Sequence, residues 1–234
     1  MYEKLKFDYA HSSLEYLIKF YKIKEIYIPY YLCDVIRHSV IKTGCKPLFY
    51  HIDDNFMPQK DFEKNSFILY PNYFGICDKN VNEMEKIYPN LIVDNAHSFF
   101  SPPQGFACFN STRKFIRVEY GSHLYIKNNN KEDEKYTKCP KSRLEEFKNL
   151  HEYYGEYNNI KIDSESARSP FCYPLLAESE NEADEIVKDL EIHGKTIYRY
   201  WNNLPKSYNE YKFYKRLIPI PLKIHPAKVL QTDC

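Results

Sequence analysis

Short apolar segments alternate with segments of helical periodicity along the first half of the chain. Apolar residues recur every three or four positions in the periodic segments, which predicts helices, whereas the short apolar segments predict strands. Helices are predicted from Ser12 onward and over residues 33–43 and 80–88, and strands over residues 25–29, 46–52, 67–70 and 91–93. This alternation indicates an α/β fold with a mainly parallel sheet flanked by helices, whose ligands bind at the carboxyl ends of the strands.

The pattern changes after Lys114. One more strand is predicted over residues 124–126, and the polar run 127–141 that follows is typical of a solvated loop. Beyond this loop, helices are predicted over residues 142–154, 181–193 and 208–217, and a strand over residues 171–177. We therefore expect a large cofactor-binding α/β domain over residues 1–140 and a small C-terminal α+β lobe over residues 141–234.

Composition narrows the class of protein and its compartment. The 234 residues include 33 Lys+Arg and 32 Asp+Glu, and a net charge of +1 creates no general attraction to nucleic acid or anionic lipid. The seven cysteines form no CxxC pair, and the start of the chain lacks an apolar signal segment. No apolar run approaches the roughly 20 residues of a membrane helix. These features predict a soluble, cytoplasmic protein without a nucleic acid or membrane partner.

Other chemical motifs are few. The eight histidines show neither HxxxH nor HExxH spacing, so no metal site is expected. The sequence has no GxGxxG or GxxxxGK loop, so nucleotide binding of the Rossmann or P-loop kind is not supported. No spacing points to a Cys–His nucleophile.

One pair of residues indicates a specific chemistry. Asp94 ends the apolar segment Leu91-Ile92-Val93, and Lys114 follows later in the chain. An acid at the end of a buried strand is placed to pair with a pyridinium nitrogen, and a lysine can form a Schiff base with an aldehyde. Together they predict a pyridoxal phosphate site. The structural alternatives are a solvated surface lysine and an aspartate that caps a turn.

Several further motifs occur in the order and spacing of one family. They are His11-Ser12-Ser13-Leu14, residues 26–33, residues 44–53, Tyr73-Phe74-Gly75, residues 93–98, Ser111-Thr112-Arg113-Lys114 and residues 171–176. Through these motifs the chain resembles the DegT/DnrJ/EryC1/StrS family of sugar aminotransferases, which are fold-type I pyridoxal phosphate enzymes. The resemblance spans most of the chain.

The resemblance implies roles for three residues around the reacting group. Lys114 would form the Schiff base with pyridoxal phosphate and then move protons between the substrate and cofactor carbons. Asp94 would keep the pyridine nitrogen protonated, because a carboxylate favours the charged ring. His97 would donate a hydrogen bond to the phenolic oxygen, and a purely structural histidine is the alternative.

The resemblance also implies how the phosphate and the ring are held. Ser12 and Ser13 would lie at the amino end of the first helix, where free N–H groups and the helix dipole bind an anion. A plain N-cap role explains Ser12 or Ser13 equally well. Ser111 is a further phosphate ligand in this hypothesis. Ring stacking would come from Tyr31 or Cys33, and the resemblance does not choose between them.

The implied activity is the transfer of an amino group from glutamate or glutamine to a keto-sugar. The sugar would be nucleotide-linked, and the product would serve a surface polysaccharide or a related glycan. Family members are homodimers with sites at the interface, so a homodimer is expected. In the family, a histidine in place of the lysine supports sugar dehydration, and Lys114 argues against that reaction.

Departures from the family pattern leave two other functions open. The chain is shorter than full-length relatives, the glycine-rich turn after the lysine is reduced to Glu119-Tyr120-Gly121-Ser122, and a Gly-x-Asn-x-Arg-like segment is not found. The second hypothesis is therefore a non-catalytic or regulatory protein that retains the fold. A third is a different pyridoxal phosphate reaction, such as decarboxylation or elimination on an amino acid.

Overall fold

Seven strands form one mixed sheet in a computed structural model that describes residues 1–116, 118–119, 121–128 and 136–222. In chain order the strands are β1 (Tyr2–Phe7), β2 (Glu25–Pro29), β3 (Lys46–Tyr50), β4 (Ile68–Pro71), β5 (Leu91–Asn95), β6 (Ala107–Asn110) and β7 (Ser122–Lys127). Their order across the sheet is β1-β7-β6-β5-β4-β2-β3. The strands from β6 to β3 are parallel, whereas the pairs β6–β7 and β7–β1 are antiparallel. The predicted mainly parallel sheet is confirmed.

Helices cover both faces of this sheet. They are α1 (Ala10–Phe20), α2 (Asp34–Lys42) and α3 (Asp78–Ile87). Side chains alternate between the two faces along each strand. Leu69 and Ile92 pack in the apolar cluster that includes α1 and α2, whereas Tyr70 and Val93 pack in the cluster that includes α3. No helix in the described part of the chain is long and apolar enough to cross a membrane.

The C-terminal residues form a small α+β lobe, as the sequence predicts. Its elements are α4 (Lys141–Tyr154), β8 (Cys172–Leu176), α5 (Glu180–Ile192), α6 (Tyr211–Arg216) and β9 (Leu217–Pro221). β8 and β9 pair antiparallel in a separate two-stranded sheet. Leu175 and Ile218 of this sheet belong to the same apolar cluster as Tyr70 and Val93, so the lobe packs on the α3 face of the large sheet. The domain boundary near residue 140 stays a prediction.

The structure contains strands that the sequence analysis missed. β1 carries lysines at alternate positions and lies at the edge of the sheet, so it lacks the apolar signal of a central strand. β6 has only four residues, too few for a clear period. The strand predicted over residues 46–52 ends at Tyr50, and Ile52 forms an isolated bridge with Pro58. Residues 129–135 of the predicted loop 127–141 lie outside the described residues, whereas Lys127 belongs to β7 and α4 begins at Lys141.

Candidate active site

A cleft opens at the carboxyl ends of β4, β5 and β6, beside the starts of α1 and α2. The space between its walls, open solvent at the mouth included, is about 720 Å³. Asn72, Asp94 and Ser111 line it from the three strand ends, and Trp201 lines it from the C-terminal lobe. This is the position at which parallel α/β sheets bind ligands.

Asp94 brings a buried carboxylate to the cleft. It lies in β5, in register with Pro71 of β4 and Phe109 of β6, and its Oδ1 accepts a hydrogen bond of 2.8 Å from the N–H of Ala96. The second carboxylate oxygen has no hydrogen-bond partner among the described residues. Burial raises the pKa of Asp94 to about 6, and the Ala96 N–H and the charge of Lys114 oppose this rise.

Lys114 brings an amine to the same cleft. It ends a short 3-10 helix (Thr112–Lys114) that begins directly after Ser111, and its side chain is half-buried. Its Nζ lies 5.8 Å from the centroid of the Phe171 ring. Burial lowers the pKa of Lys114, and the carboxylate of Asp94 opposes this effect. The structure therefore places the predicted acid and the predicted lysine in one cavity.

His97 lies among aromatic rings at the wall of the cleft. It is buried, and its Nε2 has no hydrogen-bond partner in the described part of the chain. Its ring stacks on Phe171 and on Trp201. Burial lowers the pKa of His97 well below its usual range, and the charge of Lys114 lowers it further. The imidazole is therefore uncharged at neutral pH.

The start of α1 lines the cleft through Tyr9, Ala10 and His11, and not through the predicted Ser12 and Ser13. The N–H groups of both serines donate to the carbonyl oxygen of Tyr9, at 3.1 and 3.3 Å. Ser13 is buried, and its hydroxyl shares a hydrogen bond of 2.9 Å with the hydroxyl of Ser122. The helix begins at Ala10, and the side chain of Tyr9, at the N-cap position, makes no capping hydrogen bond. The residues of α1 that line the cleft thus precede Ser12 and Ser13, and a phosphate role for these serines stays a prediction.

Of the two candidates for ring stacking, Cys33 lines the cleft and Tyr31 does not. Cys33 immediately precedes α2 and is half-buried. Tyr31 is fully buried in the core, where it packs against Tyr73 and Phe213. Cys33 is thus the candidate placed to contact a ring bound in the cleft, and this contact stays a prediction.

Comparison with known proteins identifies the fold. No protein-family model matches the sequence, and no curated protein matches it. Among solved structures, a DegT DnrJ EryC1 StrS aminotransferase from Brucella abortus has a TM-score of 0.71 at 12% identity, covering 95% of this chain and 81% of that one. Helicobacter pylori PseC, an aminotransferase involved in the biosynthesis of pseudoaminic acid, has a TM-score of 0.64 at 14% identity, with coverages of 94% and 81%.

A third structure is NtdA from Bacillus subtilis with bound cofactor PMP. Its TM-score is 0.69 at 12% identity, covering 94% of this chain and 68% of that one. The chain has the fold of the DegT/DnrJ/EryC1/StrS aminotransferases. The resemblance found in the sequence is thereby confirmed at the level of the fold.

Within this aminotransferase fold, the cleft contains residues that the sequence analysis missed. Asn72 directly follows β4, whose last residue, Pro71, pairs with Asp94 of the neighbouring strand. A polar residue at a strand end is a signal that could have found Asn72. Arg113 lines the cleft beside the predicted lysine. Trp201 follows α5 in a segment without helix or strand, so no local pattern predicts its position.

Proposed function

We propose that this chain is a pyridoxal phosphate-dependent aminotransferase that moves an amino group from glutamate or glutamine to a nucleotide-linked keto-sugar for surface glycan biosynthesis. One observation carries the proposal: the buried carboxylate of Asp94 and the amine of Lys114 line one cleft at the carboxyl ends of parallel strands. The sugar substrate is supported by the similarity to an aminotransferase of pseudoaminic acid biosynthesis.

The polar groups of the cleft fit the groups of pyridoxal phosphate. Asp94 offers a carboxylate oxygen for the ring nitrogen, and His97, which lines the cleft, offers its imidazole for the phenolic oxygen. Lys114 offers an amine for the aldehyde, and the uncapped start of α1 offers N–H groups for the phosphate. When bound, the cofactor would supply an electron sink for negative charge on the substrate carbon.

Asp94 would hold a proton at the ring nitrogen. Burial raises its pKa only to about 6, so the carboxylate is ionised at neutral pH. A buried carboxylate favours a positive charge on a neighbouring nitrogen, because the ion pair offsets the desolvation of both groups. Oδ1 accepts the hydrogen bond from the Ala96 N–H, so the other carboxylate oxygen is left to contact the ring nitrogen.

Lys114 would move a proton at the substrate carbon. Because burial lowers the pKa of its amine, a larger fraction is uncharged than in a surface lysine. An uncharged amine can attack an aldehyde and can also accept a proton. The centroid of the Phe171 ring lies 5.8 Å from Nζ, within the range of a cation–π interaction with the charged form of the amine.

The start of α1 and Arg113 would hold the phosphate. Ala10 and His11 line the cleft at the first turn, where backbone N–H groups and the helix dipole favour an anion. Arg113 lines the same cleft and adds a positive charge. Ser111, also in the lining, adds a hydroxyl group.

We also propose a homodimer. Tyr9 and Val35 line the cleft and expose 43% and 50% of their surface. A second copy packed over these side chains would remove exposed apolar surface beside the cleft. Analytical ultracentrifugation tests this, and a monomer at the concentration of an active assay contradicts it.

The proposed location is the cytoplasm. All six cysteines of the described residues are free thiols, which supports a reducing compartment.

Visible absorption of the purified protein with added pyridoxal phosphate tests the cofactor. We expect a band that borohydride makes permanent, with the label on Lys114 in a peptide mass map. Lys114→Ala should lose the band. Lys64→Ala removes an exposed lysine outside the cleft, and this variant should retain the absorption band.

Fluorescence separates cofactor binding from bond formation. Trp201 is the single tryptophan and lines the cleft, so pyridoxal phosphate should quench its emission. In Lys114→Ala we expect quenching without the band. A wild-type protein with neither signal, or with label scattered over surface lysines, would instead support the non-catalytic hypothesis. A band without amino transfer to any keto-sugar would indicate a different pyridoxal phosphate reaction.

A further inference from the structure

The imidazole of His97 is held by aromatic rings and not by hydrogen bonds. Within the described residues no hydrogen bond to this ring is found, and Nε2 is buried. The ring stacks on Phe171 with 4.6 Å between centroids and an interplanar angle of 15°. It also stacks on Trp201, at 5.6 Å and 8°. A functional histidine is usually oriented by a hydrogen bond from its second nitrogen. Here ring contacts take that role.

Trp201 reaches the cleft on a segment that is tied at two points. Arg199, two residues before it, forms an ion pair of 2.6 Å with Asp184 of α5. Asn203, two residues after it, donates a hydrogen bond to Asp34 at the start of α2. The segment therefore connects the C-terminal lobe to the wall of the cleft, and Trp201 lies between the two attachments.

The backbone of Trp201 supports a role in the cleft. Its φ of 56° lies in the left-handed region, which is rare for a large side chain. Such conformations persist where surrounding contacts fix them, and they cluster at functional sites. Here the fixing contacts include Tyr31, which meets the indole edge-on at 4.5 Å between centroids.

We propose that Trp201 is a positioning residue: together with Phe171 it holds the imidazole of His97 in the orientation that pairs a ring nitrogen with the ligand in the cleft. The identity of that ligand rests on the proposed function, whereas the ring contacts are observed in the structure. The C-terminal lobe thereby contributes to the cofactor site through a residue that touches His97.

Acylation of histidines by diethyl pyrocarbonate in the cofactor-free protein tests the ring contacts. The reagent needs an accessible, uncharged imidazole, and His97 is only 4% exposed. Trp201→Leu should speed the modification of His97 by roughly tenfold, because the imidazole opens to solvent more often. Trp201→Phe keeps a stacking ring and should restore the wild-type rate. Phe62→Leu removes a buried ring outside the cleft and should leave the rate unchanged.

The pH midpoint of the visible band tests the positioning role in the cofactor-loaded protein. A donor to the phenolic oxygen stabilises negative charge there, so a displaced His97 should raise the midpoint. We expect a rise of about 0.5 to 1 pH unit in Trp201→Leu and the wild-type midpoint in Trp201→Phe. Partial unfolding would lower the amplitude of the band without moving its midpoint.

Three results would overturn the proposal. One is equal His97 reactivity in wild type and Trp201→Leu. A second is a matching increase in Phe62→Leu, which would indicate general loosening of the core. The third is an unchanged band midpoint in Trp201→Leu. A wild-type protein without any band would overturn the proposed function and the positioning role with it, and the acylation rates would still decide whether Trp201 restrains His97.

Discussion

Asp94 and Lys114 each offset part of the cost that burial imposes on the other. Burial raises the pKa of Asp94 to about 6, and the amine of Lys114 opposes that rise. Burial lowers the pKa of Lys114, and the carboxylate of Asp94 opposes that fall. In both residues burial is the larger effect. The desolvation of the two charged groups therefore costs more free energy than their attraction recovers. Such a pair in a cleft is typical of a functional site.

Asp94→Asn should stabilise the cofactor-free protein at neutral pH. The pKa of Asp94 is about 6 in the folded protein, against 3.8 for an unburied aspartate. Between these values the folded state binds more protons than the unfolded state, so stability falls as pH rises through that window. Removing the charge should therefore raise the free energy of unfolding by up to about 3 kcal/mol at pH 7. Thermal melts should show the gain at pH 7 and none near pH 4.

Asp78→Asn is a buried comparison: burial raises the pKa of Asp78 too, but both of its carboxylate oxygens accept hydrogen bonds. Asp78 accepts hydrogen bonds from the Nδ2 of Asn72, the hydroxyl of Ser101 and the N–H of Arg168. An amide at this position would place its NH2 group against other hydrogen-bond donors. We therefore expect the free energy of unfolding to fall by about 1–3 kcal/mol. An Asp94→Asn protein that melts no higher than wild type at pH 7 would contradict the cost assigned to the Asp94 carboxylate.

Ala10→Pro should weaken pyridoxal phosphate binding without unfolding α1. Proline is tolerated at the first helical residue, because the helix has no partner for that N–H. Tyr9 is already extended, with φ −137° and ψ 150°, as a residue before proline must be. The substitution removes one N–H from the cleft, and the expected loss is about 1 kcal/mol of binding free energy, or roughly fivefold in Kd. Trp201 fluorescence gives the Kd, and circular dichroism checks the helix.

Ser13→Ala provides the comparison for the phosphate site. It removes the hydrogen bond to Ser122, so we expect about 1 kcal/mol less stability and an unchanged Kd. If Ser13→Ala weakened binding and Ala10→Pro did not, the phosphate would be held as the sequence predicts, and not by the residues that line the cleft.

The sequence predicted the central strands and their helices because their patterns are strong. β4 and β5 are buried on both faces and are apolar along most of their length. α1 and α2 each pack one apolar face against the sheet. The start of α1 was predicted two residues late, because hydroxyl residues are favoured caps, whereas the extended Tyr9 precedes the helix without a side-chain cap.

Site residues could be predicted from the sequence only where the end of a strand determines their position. Asp94 at the end of an apolar strand and a later lysine gave the central pair. The position of Trp201 depends on the attachments of Arg199 and Asn203, which are separated in sequence from their partners and leave no periodic pattern. Which of Tyr31 and Cys33 lines the cleft likewise depends on the packing of the core.

Gly75→Ala should disrupt the junction between the large sheet and the C-terminal lobe. Gly75 has a φ of +72°, and an added Cβ would overlap the carbonyl oxygens of Ser169 and His97. These are backbone atoms, so the chain itself must shift. Gly44 is the matched control, with a φ of +80° and no atom of the described residues within 4 Å of the added Cβ. We expect the free energy of unfolding to fall by about 1–2 kcal/mol in Gly44→Ala and by about 2–5 kcal/mol in Gly75→Ala. Equal losses in urea denaturation would contradict the close approach.

Pyridoxal phosphate should protect Cys33 from alkylation. Cys33 and Cys139 are the half-buried thiols of the described residues, but only Cys33 lines the cleft, and burial raises the pKa of Cys139 to about 12. Iodoacetamide should therefore label Cys33 first. At a cofactor concentration ten times the Kd, the rate at Cys33 should fall about tenfold, because only the unoccupied fraction reacts. The rate at Cys139 should not change. Peptide mass mapping over time measures both rates. Equal rates at Cys33 with and without cofactor would show that the ring lies away from this thiol and would remove Cys33 from the proposed site.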